Sequence, residues 1–500
     1  MQVNPVGGAM LKLLPKSVRR PGIIRRALSA CSWMPVLLLT YAGFWVCAGA
    51  AQELPGGDDK APSSGSGNRS ATRGPAPTTQ ALSAFIGRKT PTRPRSLDVL
   101  QSNWDMNLIP FILESMSFLP PEDRRAVVLS QLLKKKTGQS FGRDGLRWTK
   151  WLWKQDFTMH PDYPAFKAAL HAPIDPRFRW WFYQGMPHSI RLDEIMWGGV
   201  KVDGIPPLDQ PAVIPAKEAT YLGKKNIVFG IHINGEARAY PKRILAWHEM
   251  TNDTVGGKDL TLVYCTLCGS AILYDQKIGE RQFEFGTSGF LYRSNKLMYD
   301  RETRSLWSAL EGVPVTGKLV SAGLRLKRLP IVTTTWEAWN KRHPSTTVLS
   351  LETGHRRNYG EGVAYRDYFS TDRLMFPVPF EDKRLKNKRE VLAVILGRDP
   401  VAFDTFYLEK NPLHSDTIGG RQVVVLTDTS GANRVYDAGG VTFSKWDRQA
   451  TLVDQEGQTW KVTESALLGP HGQQLGRIAA HRAFWFGWHA QFPNTRLVRP

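Results

Sequence analysis

Cysteine is scarce in this chain. Four are present among 500 residues, which excludes a small disulfide-stapled fold. Acidic residues are also in deficit: 45 Asp and Glu face 66 Lys and Arg, for a formal net charge of +21. Long apolar runs are missing too. The longest, from Met34 to Val46, is broken by Thr40 and falls short of the ~20 residues a spanning helix needs. No Walker loop, dinucleotide-binding glycine fingerprint or G-x-S-x-G elbow occurs, so the common nucleotide-binding and hydrolase signatures are absent. Gly286-Thr287-Ser288-Gly289 reads as a tight turn between strands.

Residues 1–33 carry Lys12, Lys16, Arg19, Arg20, Arg25 and Arg26 and no acid. The apolar run follows, then Ala48-Gly49-Ala50-Ala51 and a polar stretch from Gln52. A basic start, a short apolar core and a small-residue exit form the pattern of a secretory signal. Residues 1–51 are therefore expected to be a signal peptide, and the protein periplasmic or secreted. The alternative is an uncleaved N-terminal membrane anchor holding the rest outside the cytoplasm. Export makes nucleic acid an unsuitable partner. A redox partner or an anionic cell-envelope component suits the charge better, although runs such as Lys134-Lys135-Lys136 are commonly solvated surface.

Gly, Ser, Pro, Thr and Arg dominate residues 52–96, a composition that predicts a disordered linker. Residues 97–200 read as a helical domain. Leu108, Ile109, Phe111, Ile112, Met116 and Leu119 recur at helical spacing, and a helix restarts after Pro120-Pro121-Glu122-Asp123 and stops at Gly138. Trp148, Trp151 and Trp153 read as core packing rather than a carbohydrate platform. From Ile227 the texture turns to short strands with turn residues between them, notably Asn234-Gly235.

Two stretches of this strand-rich region match each other. Asp253-Thr254-Val255-Gly256-Gly257 returns as Asp416-Thr417-Ile418-Gly419-Gly420, and Tyr274-Asp275 as Tyr436-Asp437. Trp336-x-x-Trp339 with Pro344-x-Thr346 returns as Trp485-x-x-Trp488 with Pro493-x-Thr495. This predicts an internal duplication, with a first β-rich repeat at 201–400 and a degenerate second repeat at 401–500. The expected fold class is α+β: an N-terminal helical domain followed by a mostly-β, internally duplicated domain. The copies differ at one place. Opposite Cys265-Thr266-Leu267-Cys268-Gly269 the second has Asp428-Thr429-Ser430-Gly431.

Removal of residues 1–51 would take Cys31 and Cys47 with it and leave Cys265 and Cys268 as the remaining cysteines. The surrounding segments are distinctive: Arg238-Ala239-Tyr240-Pro241-Lys242-Arg243-Ile244-Leu245, Trp247-His248-Glu249, Asn252-Asp253, Tyr264-Cys265-x-x-Cys268-Gly269, Phe285-Gly286-x-Ser288-Gly289-x-Leu291-Tyr292, Met298-Tyr299-Asp300-Arg301, Ser305-Leu306-Trp307-Ser308 and Thr335-Trp336. Together they resemble the bacterial family catalogued as domain of unknown function 3179. The resemblance covers roughly residues 190–400 and the block Phe484-Trp485-Phe486-Gly487-Trp488. Some members of that family carry a selenoprotein label, which implies a redox-active chalcogen in the family but assigns no residue of this chain.

Three readings of the C-x-x-C pair stand side by side. As a thiol-disulfide oxidoreductase couple, one cysteine attacks, the other resolves, and His248 tunes them. Cys268 is the expected lower-pKa thiol, provided that Gly269 and Ser270 donate backbone N–H groups to it. Ser270-Ala271-Ile272-Leu273-Tyr274 reads as a strand, which disfavours a thioredoxin-type helix after the pair. As a metal site for zinc or copper, Cys265 and Cys268 ligate with His248 and Glu249 completing the shell. The third reading is a structural disulfide in a non-catalytic cell-envelope interaction protein, although so short a loop gains little from closure.

Overall fold

The computed structural model describes residues 79, 80, 82, 83 and 93–500 except 121. The expected signal segment, and all but a few residues of the expected linker, lie outside the described residues. Among the described residues no helix is long and apolar enough to cross a membrane.

The helical segment comprises Arg93–Ser102, Ile109–Ser117, Arg124–Thr137, Gly145–Leu152 and Tyr163–His171. Arg124–Thr137 shows why these residues form helices. The Asp123 carboxylate accepts from the Arg125 N–H at its start, three lysines fill its last turn, and Gly138 ends it at φ 73°. The side-chain cap satisfies an orphan donor, and the lysines complement the helix dipole. Trp148 and Trp153 are buried, as core packing requires.

These helices share one apolar core with a five-stranded sheet. That sheet runs in the order Ile195–Trp197, Phe285–Tyr292, Asn295–Asp300, Leu306–Ser308, Val313–Thr316. Phe111, Phe166, Phe178 and Trp181 from the helical side meet Phe290, Leu297 and Tyr299 from the sheet. A buried ion pair crosses the same junction. Lys167 Nζ lies 2.8 Å from a Glu114 carboxylate oxygen and donates to the Ile195 carbonyl at 2.8 Å.

The remainder is mostly β. One sheet orders Val332–Thr335, Ile227–Ile233, Glu236–Pro241, Thr347–Leu349 and Val213–Pro215. Another orders Ala480–Phe484, Glu390–Leu396, Asp399–Asp404 and Arg496–Val498. In each, two antiparallel hairpin strands are flanked by a third antiparallel strand and by a fourth that pairs parallel. Each sheet is followed by further antiparallel ladders: Met250–Val255, Lys258–Cys265 and Ser270–Asp275 in one, Leu413–Ile418, Arg421–Thr427 and Asn433–Asp437 in the other.

The matched sequence landmarks make matched contacts. The Trp339 indole donates to Thr346 Oγ1 at 3.0 Å, and the Trp488 indole donates to Thr495 Oγ1 at 2.9 Å. Gly256 and Gly419 have φ of 56° and 54°, and a Cβ there would lie 2.2 and 2.4 Å from the carbonyl oxygens of Ile233 and Leu396. Only glycine meets both demands, a left-handed turn and a close backbone approach. Asn234 and Gly235 (φ 47° and 87°) form the two-residue hairpin turn that the Asn-Gly pair predicts.

Candidate functional site

The cysteines sit on a hairpin connection. Strand Lys258–Cys265 pairs antiparallel with Ser270–Asp275, and Cys265 faces Ser270 at the last register position. Thr266-Leu267-Cys268-Gly269 closes the turn. The Cys268 N–H donates to the Cys265 carbonyl at 3.2 Å, and Gly269 takes φ 59°. The pair is therefore followed directly by a strand rather than by a helix.

Four pieces from distant parts of the chain close around this turn. The first is the Phe484–Trp488 block, where the Phe484 N–H donates to the Cys268 carbonyl at 2.7 Å. A Cβ on Gly487 would lie 2.9 Å from Cys268 Sγ, and one on Gly269 would lie 3.0 Å from the Phe484 ring. Glycine at both positions lets the two segments touch. The second is the segment carrying Tyr365, Tyr368, Phe376 and Val378, which packs on the cysteines, with the Tyr368 hydroxyl donating to the Leu267 carbonyl at 2.8 Å. Cys265 and Cys268 are 3% and 1% exposed as a result.

The third piece is the tip of the hairpin joining Phe285–Tyr292 to Asn295–Asp300. Its two turn residues, Arg293 and Ser294, both have positive φ (49° and 65°). This left-handed backbone is costly for side-chain-bearing residues, by ~1–2 kcal/mol each. It turns the Ser294 carbonyl onto the cysteines, 3.1 Å from Cys268 Sγ. Asn295 and Lys296 follow at once, 2% and 5% exposed. The Asn295 amide lies beside Cys268 and favours its thiolate, yet neither amide atom makes a well-formed hydrogen bond.

The fourth piece is Glu249, which ends helix Lys242–His248 in the left-handed region at φ 57°. Its carboxylate lies 2.8 Å from Lys296 Nζ, with both side chains buried. The ammonium is off hydrogen-bond geometry, so this contact is chiefly coulombic. The Tyr264 and Thr266 hydroxyls complete a buried set without hydrogen-bond partners.

Both sulfurs are free thiols, and their surroundings separate them. Burial pushes the Cys265 thiol up. The Cys268 thiol and the backbone N–H groups of Lys296 and Cys268 outweigh burial and the Glu249 carboxylate, so Cys265 falls below the ordinary thiol value. Cys268 is pushed up by burial first and then by its Cys265 neighbour, against a smaller opposing pull from Asn295. Cys268 carries one proton and has two acceptors in reach, Cys265 Sγ and the Ser294 carbonyl. This reverses the expectation that Cys268 is the lower-pKa thiol. The first cause is the Cys268 thiol, which donates toward Cys265, and the backbone N–H groups of Lys296 and Cys268 add to it.

His248 is not brought to the cysteines. Its Nδ1 lies 2.9 Å from the Pro206 carbonyl and its Nε2 2.6 Å from the Tyr359 hydroxyl. The carbonyl can only accept, so Nδ1 carries the proton and Nε2 accepts from Tyr359. Burial, the largest influence, lowers its pKa to about 4. A neutral histidine with both nitrogens engaged is a packing element, and the expected roles of thiol tuner and metal ligand do not fit it. Glu249 does reach the pair, but its charge is met by Lys296. Among the described residues no group of three or more His, Cys, Asp or Glu gathers to hold a metal.

Sequence reasoning named Cys265, Cys268 and Glu249 and missed Asn295, Lys296 and Tyr368. A weak signal for the first two was present: Arg293-Ser294-Asn295-Lys296 is a polar break between the apolar runs Phe290-Leu291-Tyr292 and Leu297-Met298-Tyr299, as a hairpin tip would be. Nothing in the sequence placed that tip against the cysteine turn.

Neither a curated protein nor a solved structure matches this chain. A family model does, over residues 202–495. That span contains both cysteines, Glu249, Lys296 and the Phe484–Trp488 block, and the chain belongs to the family described as protein of unknown function (DUF3179).

Proposed function

We propose that this protein is a thiol-disulfide redox protein in which Cys265 is the reactive thiolate and Cys268 its resolving partner. The observation that supports this best is the asymmetry of the pair. Two free thiols share one turn; the Cys268 thiol and nearby backbone N–H groups lower Cys265, while burial and the neighbouring Cys265 raise Cys268. That is the division of labour a dithiol couple uses. Oxidation would join the sulfurs across the turn and pass two electrons and two protons to an acceptor. The same reading takes residues 1–51 as an export signal and places the protein in the periplasm or outside the cell. It also takes the expected repeats 201–400 and 401–500 as copies of one unit, the second copy reaching back to strand Glu390–Leu396, on the matched strand order and the paired Trp–Thr contacts. One copy kept the thiols, while the other holds Asp428 hydrogen-bonded within its own turn.

The test is a redox titration of the full chain read by thiol alkylation and mass spectrometry. Reversible formation of a Cys265–Cys268 disulfide, abolished by either Cys→Ser change, is the expected result. A pair that stays reduced at every potential sinks the reading. In that case the burial of both sulfurs favours the non-catalytic interaction protein, for which binding to anionic envelope preparations at physiological salt is the measurement.

A further inference from the structure

We propose that the oxidant of this dithiol is a small hydroperoxide, attacked by Cys265 and resolved by Cys268. The proposal rests on the redox reading above and deepens it.

Access argues first. Thiol-disulfide exchange requires a partner's disulfide to reach the attacking sulfur. Here both sulfurs are almost completely covered by Tyr368, Phe376, Val378 and Phe484. Between the turn and the Phe484–Trp488 block the Gly269 and Gly487 contacts leave no room even for a Cβ. Hydrogen peroxide is close to water in size and needs no such opening.

Polarity argues second. The Asn295 amide and the Tyr264 and Thr266 hydroxyls are buried without hydrogen-bond partners, an arrangement that is costly for a polar group. Thr266 lies in the turn, Tyr264 precedes Cys265 on its strand, and Asn295 follows the hairpin tip whose Ser294 carbonyl lies 3.1 Å from Cys268 Sγ. They suit a guest that packs O–H donors and oxygen acceptors into very few atoms. A bulky apolar disulfide reagent would leave them unpaired.

The chemistry balances. Cys265 sulfur attacks one peroxide oxygen. The S–O bond forms, the O–O bond breaks, sulfur is oxidised by two electrons, and the departing oxygen leaves as water with a thiol proton. Cys268 sulfur then attacks Cys265 sulfur. The S–S bond forms, the S–O bond breaks, and the second oxygen leaves as water with the second thiol proton. One peroxide and two thiols give one disulfide and two waters.

The test compares two oxidants on the reduced full-length chain at equal concentration: hydrogen peroxide and oxidised glutathione. Disulfide formation is followed by alkylation and mass spectrometry. The expected result is faster oxidation by peroxide, by at least about tenfold, because exchange is limited by access. Dimedone should label Cys265 in the Cys268→Ser variant, with about tenfold less label on Cys268 in Cys265→Ser. If glutathione disulfide is the faster oxidant, or Cys268 is labelled as readily as Cys265, this proposal is overturned while the redox reading stands. If neither oxidant joins the sulfurs, the redox reading falls as well. The comparison on the unmodified chain does not depend on whether the variants fold.

Discussion

Lys296 and Glu249 are the residues on which the site's electrostatics turn. Each is buried, and the two charges lie 2.8 Å apart. Lys296→Met leaves a carboxylate alone beside two sulfurs, and loss of one partner of a buried pair costs about 3–5 kcal/mol. Urea unfolding should show that loss, and Glu249→Gln added to Lys296→Met should recover much of it. His248 makes a separate prediction. Its folded pKa of about 4 lies below the ordinary value of about 6.5. Acid therefore protonates the unfolded chain first, and this stabilising contribution is present above about pH 6.5 and lost as pH falls toward 4. Unfolding midpoints measured down this range should fall, and His248→Gln should flatten the fall. An unchanged slope in that variant would remove His248 as a cause. The sequence alone made His248 attractive because it neighbours Glu249. A left-handed residue at the helix end sends the two side chains in different directions.

At the scale of elements, the hairpins were legible and their meetings were not. Alternating apolar residues with Asn234-Gly235 and Gly256-Gly257 between them specify strands and turns by local backbone preference. The Arg293-Ser294 turn was harder, because neither residue is a usual left-handed former and the tertiary contact holds it there. The two indole–threonine pairs allow a direct test of equivalence. Thr346→Val and Thr495→Val each orphan a buried indole N–H, which costs about 1–3 kcal/mol. Similar losses of stability in the two variants, read by denaturant midpoint, are expected if the elements are copies. A large loss in one and none in the other would count against it.

At the scale of the whole molecule, Glu464 ties sequence-distant regions together. It lies 3.0 Å from Arg342 of the earlier region, 2.7 Å from Arg434 and 2.8 Å from Arg477. Burial opposes its charge, but Arg434 foremost, then His343 and Arg477, hold its carboxyl well below the usual range. Glu464→Gln leaves three guanidinium groups without their shared anion, so a loss of about 3–5 kcal/mol is expected. Tryptophan fluorescence during unfolding would check it; a variant as stable as the parent would show that the cluster does not join these regions.

Local chemistry in the sequence determined the helices with their caps, the strands with their glycine turns, the matched Trp-x-x-Trp landmarks and the presence of one C-x-x-C turn. Each is written within a few residues and follows from backbone preference and periodicity. The tertiary structure alone decided what surrounds that turn. Phe484 lies more than two hundred residues from Cys268 and yet donates its N–H to the Cys268 carbonyl. Lys296 meets Glu249 only because a hairpin tip packs on a helix end. Such contacts depend on how buried faces of separate elements stack, which no local spacing encodes. The Lys296 N–H that helps to lower the Cys265 thiol comes from another hairpin and reaches it only through the tertiary fold.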